Sequence, residues 1–154
     1  MSIKLTTAAA CRVARIDRDR FNEHVAAGRF SCAPSTVPGR ARLFDPDDMI
    51  ALYLFRELME DGMEAAVAGM VACEVASAAR LAPNATAITY VQSYFDKAGG
   101  HAYPADEVPA SSDWDDKLFG GTDIRKATTF RIGKMRKLIE FYTEEERSVI
   151  GEND

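Results

Sequence analysis

The stretch "STVPGRARLFDPDDMIALYLF" (residues 35–55) decides the interpretation of the first half of the chain. Pro38-Gly39 is typical of a turn, and the following "RARLF" is typical of a short strand. Asp45-Pro46 begins a helix, because proline in the first turn needs no hydrogen-bond donor there. The helix that follows is apolar nearly all round, which predicts that it is covered on more than one side.

The residues before this stretch predict two short helices joined by a tight turn. Thr6 or Thr7 caps the first helix, over "AAACRVAR", and Asp17 caps the second, over "RDRFNEHVAAG". Phe21 and Val25 lie one turn apart and predict the buried face of the second helix. Gly28 ends that helix.

Residues 30–44, "FSCAPSTVPGRARLF", predict two short strands around the Pro-Gly turn. A hairpin that follows two short helices is a wing, so the pattern predicts a winged helix-turn-helix.

Charge is distributed unevenly along the 154 residues, although the net charge is −5. Residues 1–44 carry eight basic and three acidic groups, a net charge of +5. The rest of the chain carries eleven basic and twenty-one acidic groups, a net charge of −10. Seven of the eight basic groups are arginines, whose planar guanidinium suits phosphate oxygens and guanine edges. This asymmetry indicates that the N-terminal end faces phosphate.

The runs "IDRDRFNEHVAAGRF" and "GRARLFDPDDMIALYLFRELMEDGM" resemble the MerR-like winged helix-turn-helix DNA-binding family. The matching positions are Gly39, Arg42 and Phe44 of the wing, Asp48, and the helix end Gly62-Met63. The resemblance covers residues 5 to 72 or thereabouts. It implies a sequence-specific, homodimeric transcription regulator of bacterial or phage origin that binds double-stranded DNA.

The chain also departs from that family. Glu23 and His24 replace the aromatic pair that is common late in the recognition helix, and Phe44 replaces a wing tyrosine. The cysteine cluster of the metal-sensing members is absent from the sequence. The resemblance therefore implies DNA binding and does not indicate whether an effector binds.

The expected DNA contacts come from both helices and from the wing. Arg18, Arg20 and Asn22 are expected at the major groove, and Arg40 and Arg42 on the backbone. The predicted set is Arg12, Arg15, Arg18, Arg20, Asn22, Arg40 and Arg42.

The second half predicts an alanine-rich helix over residues 64–81, strands over 86–95 and 126–132, and a last helix from Lys134. Residues 96–125 between the strands, rich in acids and glycine, predict a long mobile loop. Thr143 and Glu146 form a capping-box pattern that predicts a restart of the last helix. The predicted fold is mainly α, and α+β overall. It divides into residues 1–81, the DNA-binding domain with its linking helices, and residues 82–154, a dimerisation or regulatory region.

The last helix has an apolar stripe of Met135, Leu138, Ile139 and Tyr142, which predicts the homodimer interface. The alternative is that the same residues close a monomeric core. RNA polymerase is a further candidate partner.

Other classes lack support in the sequence. No apolar run is long enough to span a bilayer, and the first residues lack the apolar core of a signal peptide. Cys11, Cys32 and Cys73 are far apart, which predicts free thiols and a cytoplasmic protein. No nucleophile elbow, phosphate-binding loop or metal-spaced His/Cys set is present, so no enzyme, cofactor or metal is predicted. Two alternatives stay open: a phage or mobile-element repressor or excisionase-like factor that bends DNA, and an adaptor that binds protein and not DNA.

Overall fold

The computed structural model describes residues 3–36, 38–95 and 99–150, with side chains as far as residue 148. The fold is α+β, with helices in the majority. In chain order the elements are β1 (Leu5–Thr6), α1 (Thr7–Ala14), α2 (Arg18–Ala26), β2 (Leu43–Phe44), α3 (Pro46–Glu60), α4 (Ala65–Leu81), β3 (Ile88–Ser93), β4 (His101–Pro104), β5 (Ile124–Phe130) and α5 (Ile132–Ile150). Two single 3₁₀ turns, Ala105–Glu107 and Ser111–Asp113, lie between β4 and β5.

The predicted helix starts are confirmed by their side-chain caps. The Thr6 hydroxyl accepts from the Ala9 N–H at 3.3 Å, and the Asp17 carboxylate accepts from the Arg20 N–H at 3.0 Å. Asp45 and Asp48 each accept from the other's backbone N–H, at 2.8 and 2.9 Å, which completes a capping box for α3. Each of these bonds satisfies a backbone donor that has no partner inside its helix.

The predicted hairpin over residues 30–44 is wrong. Its first half is turn and irregular chain, and β2 pairs antiparallel with β1, so that Leu5 lies opposite Phe44. Pro34 removes a backbone donor from the first half, which disfavours a paired strand there. Phe44 is fully buried and its ring lies 5.9 Å from that of Phe21, so burial of this side chain fixes the position of β2. Val37 lies outside the described residues.

Helix α3 forms the centre of the molecule, as its apolar sequence predicts. Every residue from 49 to 55 is buried, and α3 packs against α1, α4 and α5. Buried residues from Leu5 to Ile139 form one cluster. The predicted boundary at 81/82 therefore does not separate two independent cores.

Helix α4 approaches the chain that follows α2 very closely at Gly69. A Cβ atom on Gly69 would lie 1.7 Å from the carbonyl oxygen of Arg29 and 2.9 Å from its carbonyl carbon. Only a residue without a side chain fits this contact, because real Cβ atoms stay beyond 3.0 Å from such neighbours.

Besides the β1–β2 pair, the structure has a three-stranded sheet of order β4-β3-β5, which is antiparallel throughout. Strands β3 and β5 confirm the two strand predictions, but β4 and the 3₁₀ turns lie in the segment predicted as one long loop. Gly100 permits this pairing, since a Cβ there would lie 2.4 Å from the Val91 carbonyl oxygen. Its N–H donates to the Tyr90 hydroxyl at 2.6 Å. Residues 96–98 lie outside the described part of the chain.

Helix α5 begins at Ile132 and continues through Thr143 without the predicted restart. Thr143 is buried inside the helix, so its side chain does not act as a cap. Near the start of the helix, Arg136 donates to the carbonyl oxygens of Ala79 at 3.0 Å and Pro83 at 2.7 Å. Arg136 thereby joins the end of α4 to α5.

The prediction of three free cysteines is wrong. Cys32 and Cys73 form a disulfide with a Cα–Cα distance of 5.6 Å, because the fold brings together two residues 41 positions apart. The cysteine spacing therefore no longer supports the predicted cytoplasmic location. Cys11 is a free thiol and is buried, and burial raises its pKa to about 12.

Candidate nucleic-acid interface

Helices α1 and α2 are joined by a tight turn at residues 15–17. Arg15 closes α1 in the left-handed conformation, with φ 61°, and Asp17 caps α2 directly afterwards. The two helices pack on each other through a face of α2 that is anchored by Phe21, which is fully buried. We refer to β1, α1, α2, β2 and the chain between α2 and β2 as the head.

The N-terminal half of α2 presents three of the predicted contact residues to solvent. Arg18, Arg20 and Asn22 are all exposed. Arg18 lies 3.9 Å from Asp19, whereas Arg20 and Asn22 make no side-chain hydrogen bond or ion pair within residues 3–36, 38–95 and 99–148. These side chains are free to meet a ligand without breaking a strong contact.

The outermost direction of α2 is acidic, which sequence reasoning did not consider. Asp19 and Glu23 lie one turn apart on the same face. Residues two apart on a helix point about 200° from each other, so this face is opposite Phe21. Arg18 and Arg20 flank the acidic face on its two sides, so a groove that accepts α2 would meet both signs of charge.

Two of the predicted arginines contact α5 instead of solvent alone. Arg12 forms an ion pair with Glu146, and the Arg15 guanidinium lies over the Tyr142 ring at 4.5 Å from its centre. Both partners are more than 120 residues away in sequence, so local patterns give no signal of them. Arg12 keeps 40% of its side-chain surface exposed.

The chain from residue 30 to β2 is held by one of its own predicted contact residues. Arg42 donates to the carbonyl oxygen of Pro34, which ties the two sides of this segment together. Gly39 takes a positive φ of 81° at the turn between them, which an L side chain would disfavour. Arg40 is exposed and makes no ion pair with any described residue.

His24 has a structural role in the head. Its ring packs edge-on against Phe55 at 5.2 Å, and its Nδ1 accepts from the Arg29 Nε–H at 2.9 Å. Burial and then the Arg29 charge lower the pKa of His24. The neutral form is therefore favoured, as expected for an imidazole that accepts a hydrogen bond from a guanidinium.

A charge network joins the start of α3, directly after the head, to α4 and α5, and it was not predicted. Arg80, near the end of α4, donates to both carboxylate oxygens of Asp45 at 2.9 and 3.1 Å and to Asp48 at 3.1 Å. Burial raises the pKa of Asp45, but the Arg80 bonds and the Asp48 N–H outweigh it and hold that pKa below its usual value. Asp47 lies 3.5 Å from Arg136.

The predicted dimer stripe lies largely inside the chain. Met135 and Ile139 are 6% and 5% exposed and belong to the shared core, whereas Leu138 and Tyr142 are partly buried against it. The alternative that these residues close the core thus holds for the first two. Of the four stripe residues, only Leu138 and Tyr142 retain exposed surface for a partner.

Within the described ranges, no group of three or more His, Cys, Asp or Glu residues is placed to hold a metal ion. A cavity of about 510 Å³ lies between the first residues, the start of α3 and α5; of its four charged residues, Asp47 pairs with Arg136 and Glu144 pairs with Arg147, and Glu140 is the fourth.

No described helix is both long enough and apolar enough to cross a membrane. Comparison of the chain with protein-family models and with characterised proteins gives no match.

Proposed function

We propose that the chain is a sequence-specific DNA-binding transcription regulator, in which α1 and α2 act as a MerR-like helix-turn-helix. The observation that carries the proposal is the exposure of Arg18, Arg20 and Asn22 on a short helix that Phe21 anchors to the head, on either side of the acidic face. A short second helix with polar residues on its outer side is the element that enters the major groove in this class of protein.

The segment between α2 and β2 acts as the wing, although it lacks the predicted hairpin. Its arginines lie beside the β1–β2 ladder, which fixes the segment at its C-terminal end. Arg40 is free to bind a phosphate, and Arg42 keeps guanidinium donors beyond the one bound to Pro34. Contacts of this kind set orientation on DNA without reading its sequence.

Arg12 and Arg15 take a secondary part in this proposal. Their contacts with Glu146 and Tyr142 couple α1 to α5, so DNA that attracts Arg12 competes with Glu146 for it. The ion pair is partly exposed and therefore weak enough to exchange.

We further propose a homodimer, because one small head makes few contacts with DNA. The surface that remains on α5 is the exposed part of Leu138 and Tyr142, together with Phe141, which is 48% exposed. RNA polymerase stays a candidate partner of the assembled regulator.

The test is selection of genomic fragments by the purified chain, followed by anisotropy titration of the retained duplexes. Arg20→Ala is expected to lose about 1–3 kcal/mol of binding free energy that discriminates between bases at one position of the site, and so to relax specificity there. Lys117→Gln, a single charge removal on an exposed loop residue, serves as the control and is expected to leave specificity unchanged. Absence of any enriched sequence would overturn the proposal.

Two alternatives stay distinguishable in the same experiment. An excisionase-like or repressor role predicts bent DNA in the complex, which circular-permutation gel shifts measure. A protein adaptor predicts no enriched DNA, and Phe95 and Leu118, 80% and 68% exposed, offer it an apolar surface.

A further inference from the structure

A second basic surface lies in the acidic half of the chain, away from the head in sequence. Residues 124–139 contain six cations and no acidic residue, in a chain whose net charge is −5. We define the basic strip as the five of these that are exposed, which run along β5, the turn after it and the first turns of α5: Arg125, Lys126, Arg131, Lys134 and Lys137.

Arg136, the sixth cation, has a structural role. It is partly buried and bonds to the Ala79 and Pro83 carbonyl oxygens and to Asp47. By contrast, the five strip cations make no ion pair with any residue in the described ranges. Since the surrounding chain is rich in carboxylates, a cation that contributed only to folding would be expected to pair with one.

The strip begins at an irregularity in the sheet. Gln92 lies opposite Lys126 but Ser93 lies opposite Ile124, so Arg125 is an extra residue in β5 with no partner on β3. A bulge of this kind interrupts the alternation of side chains and re-aims the extra one. Because β5 is an edge strand, no further strand of the described chain pairs with its outer side.

On α5 the strip faces directly away from the core. Lys134 and Lys137 are exposed, whereas Ile132, Met135 and Ile139 on the other side are buried. Arg131 precedes the first residue of α5, so it stands at the end of the helix where the macrodipole adds positive potential. Arg131, Lys134 and Lys137 therefore gather at the start of α5, and Arg125 and Lys126 lie at the other end of β5.

The strip is close to the head along one rigid element. Glu146, which binds Arg12 of the head, lies twelve residues beyond Lys134 on the same helix. At 1.5 Å per residue that is about 18 Å. Lys137 and Glu146 are nine residues apart and point to opposite sides of α5, so a duplex that contacts both the head and the strip has to pass round this helix. Duplex DNA carries one phosphate charge for about every 1.7 Å of its axis, which supplies several phosphates over such a path.

We propose that the basic strip binds the phosphate backbone of the same DNA duplex that the head binds, and adds sequence-independent affinity. The inference rests on the proposed function. An anionic membrane is the competing polyanion, but surface-binding helices set large apolar side chains beside their cations. On the strip's helix face of the described chain, the large apolar residues are Phe141 and Leu138, and Leu138 is partly buried against the core.

The experiment compares salt dependence of binding to a random-sequence 40-bp duplex between 50 and 200 mM salt. The variant carries Lys134→Gln and Lys137→Gln, and its matched control carries Lys134→Arg and Lys137→Arg, which keeps the charges at the same sites. Loss of two phosphate contacts reduces the slope of log K against log salt by about 1.8, or roughly 12-fold in affinity over this range. The arginine control and Lys117→Gln are expected to keep the wild-type slope.

The inference would be overturned if the double glutamine variant kept the wild-type slope of log K against log salt. It would also be overturned if this variant lost binding to phosphatidylserine vesicles while its DNA binding stayed unchanged. Arg18→Ala with Arg20→Ala separates the two proposals. If this head variant loses its preference for selected fragments while the strip variant keeps the wild-type slope, the strip inference alone fails. If the head variant keeps wild-type specificity while the strip variant loses slope, the assignment of α1 and α2 fails and the strip stands.

Discussion

Replacement of Gly69 by alanine is expected to destabilise the protein, although alanine is the better helix former. At an unconstrained helix position the change from glycine to alanine would stabilise by about 1 kcal/mol. Here the new Cβ would lie 1.7 Å from the Arg29 carbonyl oxygen, so the two backbones must separate by more than an ångström.

The disulfide opposes that separation. Cys73 lies one turn beyond Gly69 on α4, and its partner Cys32 lies three residues beyond Arg29. Overpacking at a site that cannot relax costs about 1–3 kcal/mol or more. The net effect expected for Gly69→Ala is a loss of about 2 kcal/mol, which lowers Tm by about 4–8 °C in a chain of this size.

Urea unfolding followed by circular dichroism measures the effect. Ala66→Gly, at an exposed position in the first turn of α4, is the control and is expected to lose less than about 1 kcal/mol through helix propensity alone. Reduction of the disulfide is expected to decrease the difference in free energy of unfolding between Gly69→Ala and wild type, because α4 can then move away from the chain after α2. A Gly69→Ala protein as stable as wild type, or more stable, would refute the reasoning.

Four further outcomes are expected. The folded state lowers the pKa of His24 below its ordinary value of 6.5, so the stability that neutral His24 contributes is complete above pH 6.5 and is lost as the pH falls through the folded-state pKa. His24→Gln should therefore flatten the dependence of the urea midpoint on pH below 6.5. Asp45→Ala removes the α3 cap and the Arg80 bonds and should cost at least about 1 kcal/mol, whereas an exposed Asp19→Ala should cost little, so equal midpoints would contradict the network. Reduction of Cys32–Cys73 should cost about 2–4 kcal/mol, and a Cys32→Ser, Cys73→Ser protein should show no response to reductant. Arg42→Ala should weaken all duplexes alike and reduce the salt slope by about 0.9, and an unchanged slope would count against the wing assignment.

The parts of the fold that were predictable from sequence are those fixed by neighbours in the chain. Thr6, Asp17 and Asp45 each cap a helix through a bond to a residue three positions away, so the pattern is visible locally. The position of β2 depends on Leu5, nearly forty residues earlier, and no local signal reports that pairing. The wing hairpin was therefore predicted from composition and is absent.

The same distinction applies to the candidate site. Exposure of Arg18, Arg20 and Asn22 follows from helical spacing around Phe21, and all three are exposed in the structure. The partners of Arg12 and Arg15 on α5 depend on the packing of the last helix against the first. Charge counts along the sequence also concealed the basic strip, because acids on either side cancel it in the total.

The disulfide turns the chain from Cys32 to Cys73 into a covalent ring that contains β2, α3 and the first half of α4. The bond after Arg40 lies inside this ring, and Arg40 and Ala41 are both exposed, which makes the bond accessible to trypsin. A single cut there opens the wing without releasing either fragment, so the product migrates as one species until it is reduced. In such a nicked protein the wing is cut while the core stays covalently closed. The difference in DNA affinity between the nicked and the uncut protein then measures the contribution of the uncut wing to binding.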